Sequence, residues 1–310
     1  MSRWQDKPVL VTGGTGFLGA FVARDLAAQG LRPRVFDRHP NAETLDFVRG
    51  GLSQSCEVVA GDVTRREDVA RAMKGCGAVV HLAGLMTVDC KADPLRAAQV
   101  NLIGSQTVMD LAIKNGVERL AYASSSAVYG SGEGILPNPE TLYGVHKLAI
   151  EGMARCAWLD HGLPSVGFRP YIVYGPGESR GIAAGPSIAL RAAALGQSAT
   201  IHFSGPVGFV HVSDVARAFV AGLFDAWEGA QVYDLHGVSA TVDDFISALK
   251  RAVPDAAVSG EGPRLKTPAL LQGGGHSDWF DALRVTSLEE GIATTLTHWR
   301  TTSDIQAACL

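Results

Sequence analysis

An α/β architecture, a doubly wound parallel sheet with a smaller, irregular C-terminal lobe, is the fold class that this 310-residue sequence predicts. Three observations predict it. Short β-branched runs alternate with helical stretches through the first half of the chain. The runs are apolar throughout, as strands are when both sheet faces are covered. A glycine-rich turn joins the first run to the first helical stretch.

Pro8–Thr12 reads as the first strand and Phe17–Gln29 as the helix after it, stopped by Gly30. Arg34–Asp37, Glu57–Ala60, Ala78–Leu82, Arg119–Ala123 and Ser165–Arg169 continue the strand series. Arg66–Met73, Pro94–Asn115 and Leu142–Asp160 are the helices between them. Past about Tyr174 the pattern loosens. Gly175–Gly208 holds seven glycines and three prolines around one helical stretch, Ile188–Leu195. Irregular segments of this kind form the substrate side of α/β proteins, at the carboxyl ends of the strands. The expected division is residues 1–175 with about 206–237 as the sheet domain, and about 176–205 with 238–310 as the smaller lobe.

Composition narrows the partners. Apolar residues are 46% and charged residues 19%, which suits a packed globular chain. There are 27 Lys and Arg against 31 Asp and Glu, a net charge of −4, so no basic surplus exists for a nucleic-acid backbone. Cysteines at 56, 76, 90, 156 and 309 are odd in number and form no C-x-x-C pair. Neither a disulfide framework nor a metal site is expected from them. No uncharged apolar run reaches the ~18 residues of a membrane span. The N-terminus leads into a strand without a signal-peptide core, so the expected setting is cytoplasmic.

The turn after the first strand reads Thr12-Gly13-Gly14-Thr15-Gly16-Phe17-Leu18-Gly19. Gly14, Gly16 and Gly19 satisfy G-x-G-x-x-G; Gly13, Gly16 and Gly19 satisfy G-x-x-G-x-x-G. Such glycines permit a tight turn, close backbone approach to a pyrophosphate, and close packing of helix on strand. The helix N-terminus then offers free N–H groups to the phosphates. Asp37, at the end of the second strand, suits the adenosine ribose hydroxyls and repels a 2′-phosphate, which favours NAD over NADP. The neighbouring Arg38 argues the other way. Asp62, after the third strand, reads either as an acceptor for the adenine amino group or as the N-cap of the helix at 66–73.

Ala123-Ser124-Ser125-Ser126-Ala127-Val128-Tyr129-Gly130 leaves the end of a strand, and Tyr143-Gly-Val-His-Lys147 follows on a helix. Tyr143 and Lys147, four residues apart, share a helical face. An ammonium beside the phenol favours phenolate and is expected to lower the Tyr143 pKa toward the working pH. Tyr143 then serves as general base for a secondary alcohol, with a strand-end serine orienting the same oxygen.

With these residues the chain resembles the extended short-chain dehydrogenases/reductases, the NAD-dependent epimerase/dehydratase family, whose fold is of the Rossmann type. The resemblance rests also on His81-Leu-Ala-Gly84, Asn101, Arg169-Pro170, Tyr174-Gly-Pro-Gly177 and His211-Val-Ser-Asp214. It implies that Gly13, Gly16, Phe17 and Leu18 line the pyrophosphate and Asp37 holds the ribose. Asp62 and Val63 would flank adenine, Leu82 and Ala83 the cofactor ribose, and Lys147 the nicotinamide ribose. It implies Ser125 as the catalytic serine, with Ser124 and Ser126 as neighbouring alternatives. Asn101 reads as a brace of the site or as an ordinary helix asparagine. His81 and His211 match structural positions.

Departures from the family narrow the chemistry. Dehydratases carry Asp-Glu after the catalytic serine or threonine, where this chain has Ser126-Ala127. Nucleotide-sugar enzymes carry an arginine for the diphosphate where this chain has Val207. Arg180, Arg191 and His202 are candidate substitutes, and Ser126, Arg180 and His202 are the candidate substrate contacts. The leading expectation is an NAD-dependent dehydrogenase of a carbohydrate-like secondary alcohol. A sugar epimerase sharing the same first half-reaction is the second, and a non-catalytic dinucleotide sensor is the third. Helices 94–115 and 142–160 match the pair that forms a homodimer interface in relatives, or else simply dock on the sheet.

Overall fold

The computed structural model describes residues 3–131, 136–225, 228–268 and 278–308. The chain begins β1 (Pro8–Thr12), α1 (Phe17–Ala28), β2 (Arg32–Asp37), α2 (Ala42–Val48), β3 (Glu57–Ala60) and α3 (Arg66–Met73). Then come β4 (Ala78–His81), α4 (Thr87–Ala92), α5 (Pro94–Ala98), α6 (Ser105–Lys114), β5 (Arg119–Ala123), α7 (Leu142–His161), β6 (Ser165–Pro170) and β7 (Ile172–Tyr174). The rest is α8 (Gly185–Ala194), β8 (Ala199–Ile201), β9 (Pro206–His211), α9 (Val212–Phe224), β10 (Ala230–Leu235), β11 (Val238–Thr241), α10 (Val242–Ala252), β12 (Val258–Gly260), α11 (Asp278–Asp281) and α12 (Leu288–Ala308).

Seven strands form one parallel sheet in the order β10-β6-β5-β4-β1-β2-β3. The chain winds outward from β1 to β3, then returns beside β1 as β4 and winds the other way. The carboxyl ends of β1 and β4 therefore flank a topological switch point, where α/β sheets bind their ligands. Residue alternation explains why the strands are apolar throughout. Val9, Val11, Val35 and Val80 pack with Phe21, Leu26, Val215 and Phe219 of α1 and α9. Leu10, Phe36, Val79 and Tyr122 face the opposite layer, with Val69, Met73, Val108, Met109 and Ile150 of α3, α6 and α7. Each such side chain, fully buried, contributes about 1.5–3 kcal/mol.

Two sequence expectations need correction. β3 is the sheet edge and is largely exposed, so its apolar run does not reflect two covered faces. The stretch 94–115 is not one α-helix: Gln99–Gly104 is a π-helical segment between α5 and α6. It carries Asn101 inward, 1% exposed. Single π-turns of this kind recur at functional sites.

The smaller part has its own core. β7, β9 and β11 form a three-stranded sheet and β8 pairs with β12. Ile172, Leu190, Phe203, Phe209, Phe245, Leu249, Ile292 and Leu296 pack between these strands and α8, α10 and α12. Cys56, Cys76, Cys90 and Cys156 are free thiols, and Cys309 lies outside the described residues. Among the described residues no helix is long and apolar enough to cross a membrane.

Candidate active site

The glycine turn sits at the switch point as bare backbone. Gly13 has a φ of +66°, and a Cβ there would lie 3.1 Å from the Ala83 nitrogen. A Cβ at Gly19 would come within 2.1 Å of the Gly13 carbonyl, so no larger residue lets α1 start this close to the turn. Gly16 caps α1 without a side-chain bond, which leaves the first-turn N–H groups of Phe17 and Leu18 for an anion. Asp37 reaches across from β2. Its Oδ2 accepts from the Thr15 N–H and its Oδ1 from the His39 N–H, each at 3.3 Å.

Behind the turn runs a directed chain of hydrogen bonds. Thr12 Oγ1 accepts the Leu82 and Ala83 N–H groups, each at 3.1 Å. Its own proton therefore goes to His81 Nδ1 at 2.7 Å. The proton on His81 Nε2 then faces Ser105 Oγ at 2.9 Å, and the Ser105 hydroxyl donates to the Asn101 carbonyl at 2.6 Å. Burial, with the nearby Lys147 charge, pushes the His81 pKa down to about 3, so the ring is neutral. His81 thus ties β1, β4 and the π segment together and has no ring nitrogen left for catalysis.

Tyr143 and Lys147 project from the buried face of α7, and Ser125 starts the 3-10 turn after β5. Thr141 caps α7 by accepting from the Gly144 N–H at 3.0 Å. That cap sets where the helix begins and so where Tyr143 points. The Ser125 hydroxyl lies near enough to the Tyr143 phenol to favour its ionised form. Lys147 Nζ lies 5.6 Å from the centre of the Tyr143 ring and donates to the Ala123 carbonyl at 2.6 Å.

Here the structure corrects the expected electrostatics. Burial pushes the Tyr143 phenol up to about 12, against the lowering by Ser125; the nearby Cys90 adds to the rise. Burial likewise pulls Lys147 down to about 8, opposed by Cys90 and Glu151. The ammonium spends its bond on Ala123 rather than on the phenol. In this state Tyr143 is a proton donor.

A buried ionic cluster supports the serine turn, and the sequence reading missed it. Arg169 grips Glu151 through Nε at 2.8 Å and Nη2 at 2.6 Å. Glu151 also accepts from the Ser124 hydroxyl, while Arg169 donates to the Tyr129 hydroxyl, which donates to Asp234 at 2.9 Å. The signal was present: Tyr143, Lys147 and Glu151 recur every four residues on one helical face. Ser124 is thereby committed to Glu151, which leaves Ser125 as the serine at the phenol.

The other candidates are placed as follows. Asp62 neither caps α3 nor offers a free carboxylate. It accepts from the Thr64 N–H at 2.9 Å and hydroxyl at 2.7 Å, and pairs with Arg96 at 2.8 Å. Burial pushes its carboxyl up, but these bonds outweigh it and hold the pKa at about 2. Val63 is buried against Gly104 at the end of the π segment. Ser126 is buried at 3% exposure inside the turn. Arg180 and His202 are exposed on the loops after β7 and β8, and Arg191 stacks over Trp299. Val207 is buried in the smaller core. Among the described residues no three His, Cys, Asp or Glu side chains are grouped to hold a metal ion.

Known proteins resemble this chain in sequence and fold. The family model "NAD dependent epimerase/dehydratase family" matches residues 9–233. The 3 beta-hydroxysteroid dehydrogenase type 7 of Mus musculus is 36% identical over 191 residues, 54% of this chain and 51% of that protein. The chain thus matches about half the length of that relative. The UDP-glucose 4-epimerase of Azospirillum brasilense is 30% identical over 250 residues, 71% of this chain and 69% of that protein. Among solved structures, the Thermus thermophilus UDP-glucose 4-epimerase in complex with NAD superposes with a TM-score of 0.79 at 28% identity, covering 94% of this chain and 99% of that one. Glycine turn, strand-end serine and Tyr143/Lys147 helix all fall within the matched span, and the chain belongs to the NAD dependent epimerase/dehydratase family.

Proposed function

We propose that this protein is an NAD-dependent oxidoreductase that moves a hydride between nicotinamide and a secondary-alcohol or ketone carbon of a carbohydrate-like molecule. The observation that carries this reading is the convergence of Ser125, Tyr143 and Lys147 beside the bare glycine turn at the switch point. NAD fits the site on its own terms. The turn leaves the N–H groups of Phe17 and Leu18 open for a pyrophosphate, and Asp37 stands at the end of β2 for the ribose. Leu82 and Ala83 are the groups for the cofactor ribose, and Lys147 for the nicotinamide ribose. When bound, the cofactor supplies the hydride carrier and, oxidised, a positive charge beside the phenol. Ser125 orients the substrate oxygen, and Tyr143 exchanges a proton with it through its phenol oxygen. Lys147, held by the Ala123 carbonyl, is there to position the nicotinamide ribose rather than to ionise the phenol.

The direction favoured is dehydrogenation or reduction with exchange of the cofactor. A buried Val207 stands where a diphosphate-binding arginine belongs in nucleotide-sugar enzymes, and Arg180 and His202 lie exposed on surface loops. A sugar epimerase is the second reading, supported by the similarity to the Azospirillum and Thermus epimerases. The nucleotide released on denaturing the purified protein separates the two. Near one NAD per chain supports the epimerase. An empty site, with reduced nicotinamide appearing when sugar acids or polyols are added with NAD, supports the dehydrogenase. Failure to bind either NAD or NADH contradicts both.

The sequence-derived division, residues 1–175 with about 206–237 for the dinucleotide and about 176–205 with 238–310 for the substrate side, stands as a proposal, with β7 and β9 lending Ile172, Val207 and Phe209 to the smaller core. A homodimer in the cytoplasm is proposed as the working form. Leu95, Ile103, Val145 and Leu159 are exposed on α5, the π segment and α7, at 79%, 61%, 46% and 65%. These exposed apolar side chains on the helices in question are the support for that reading.

A further inference from the structure

Asn101 holds the turn after β4 with both ends of its side-chain amide. Its Oδ1 accepts from the Leu85 N–H at 2.7 Å and its Nδ2 donates to the Leu85 carbonyl at 3.0 Å. One N–H of the amide remains. The acceptors beside it are His146 Nδ1 at 3.4 Å and Cys90 Sγ at 3.5 Å. A ring nitrogen accepts from an N–H only when it carries no proton, so this contact requires neutral His146 with its proton on Nε2. His146 is 3% exposed and directly precedes Lys147. A Cβ at Gly84 would lie 3.3 Å from Asn101 Oδ1 and 3.7 Å from Lys147 Nζ, so turn, amide and ammonium form one packed unit.

We propose that neutral His146 is a positioning residue: it fixes the orientation of the Asn101 amide, and through it the Gly84–Leu85 turn that backs the nicotinamide-ribose site. The inference rests on the reading of Lys147 and this turn as part of the cofactor site. Protonation of His146 places an Nδ1–H against the amide N–H. Turning the amide to escape that clash reverses both bonds to Leu85. Lys147 on α7 is the charge that acts on the ring; Cys90 on α4 shares the Asn101 amide with it and has Asp89 as its own charged neighbour, and Asn101 on the π segment is neutral. Burial and the Lys147 charge both hold His146 below its ordinary pKa of 6.5, so the clamp is intact at neutral pH and opens only on the acid side.

The test compares NADH affinity, read by nicotinamide fluorescence, in the wild type and in His146→Gln across acid to neutral pH. Glutamine offers an acceptor that does not titrate. Wild-type affinity is expected to weaken in acid by up to about tenfold per pH unit once His146 titrates, with the glutamine variant markedly flatter. By linkage, saturation with NADH should lower the His146 pKa further, seen in imidazole nitrogen shifts. Identical pH profiles in the two proteins overturn the proposal. So does an imidazole of the unliganded wild type with its proton on Nδ1 at neutral pH. Failure of both proteins to bind NADH overturns the cofactor reading itself, and the tautomer measurement, made without ligand, still decides the Asn101–His146 clamp.

Discussion

Tyr143 is buried deeply enough that its phenol keeps its proton at neutral pH in the free protein. Alcohol oxidation needs the phenolate, whose fraction grows about tenfold per pH unit below the phenol pKa. The expected profile is kcat/KM for oxidation rising with pH from neutral through the mildly alkaline range, while ketone reduction, which uses the protonated phenol, does not rise. Initial rates in both directions check this; an oxidation rate that falls with rising pH contradicts it. Glu151 is a second case where one side chain decides. Removing its charge by Glu151→Gln leaves Arg169 buried with Asp234 at 4.0 Å as its remaining carboxylate. A buried pair broken in this way costs about 3–5 kcal/mol. Urea unfolding of the variant measures that cost, and a loss within error of zero would mean that the pair is not buried as described.

At the scale of elements, the β1–turn–α1 unit and the His81 tie carry the site. Gly19→Ala forces a Cβ onto the Gly13 carbonyl, so α1 has to move away from the turn. A destabilisation of about 1–3 kcal/mol and a loss of NADH binding are expected, read by thermal unfolding and titration. His81 is held neutral with a pKa of about 3, against 6.5 when unfolded. The unfolded chain binds the extra proton first, so its contribution is complete above pH 6.5 and declines as pH falls toward about 3. These elements were legible because glycines with no room for a Cβ, and a Tyr and a Lys one helical turn apart, leave marks in the sequence. The π segment was not legible, because a shifted hydrogen-bond register has no residue pattern of its own. α10 was missed although its marks are plain: Thr241 and Asp244 cap each other reciprocally ahead of Val242, Phe245, Ile246 and Leu249. The exposed β3 misled for the opposite reason, since Val58 and Val59 reflect strand propensity at an edge and not a covered face.

At the scale of the whole molecule, the two cores divide the labour. The sheet with its two helical layers sets the switch point, while the smaller core of α8, α10 and α12 packs around β7 and β9. Substrate choice was the least legible property, because the loops that bear Arg180 and His202 contain no motif and place both side chains in solvent. The exposed apolar residues of α5, the π segment and α7 predict a dimer. Leu159→Glu on that face is expected to shift the protein toward monomer in sedimentation velocity with little change in thermal stability; an unchanged sedimentation coefficient rules out this face. Proton exchange at Tyr143 is probed with least disturbance by Tyr143→Phe, which removes one oxygen and little of the packing. Once a turnover assay is in hand, a loss of about 10²–10⁴-fold in kcat with NADH affinity nearly unchanged is expected, whereas wild-type turnover in that variant would mean that the phenol exchanges no proton with the substrate.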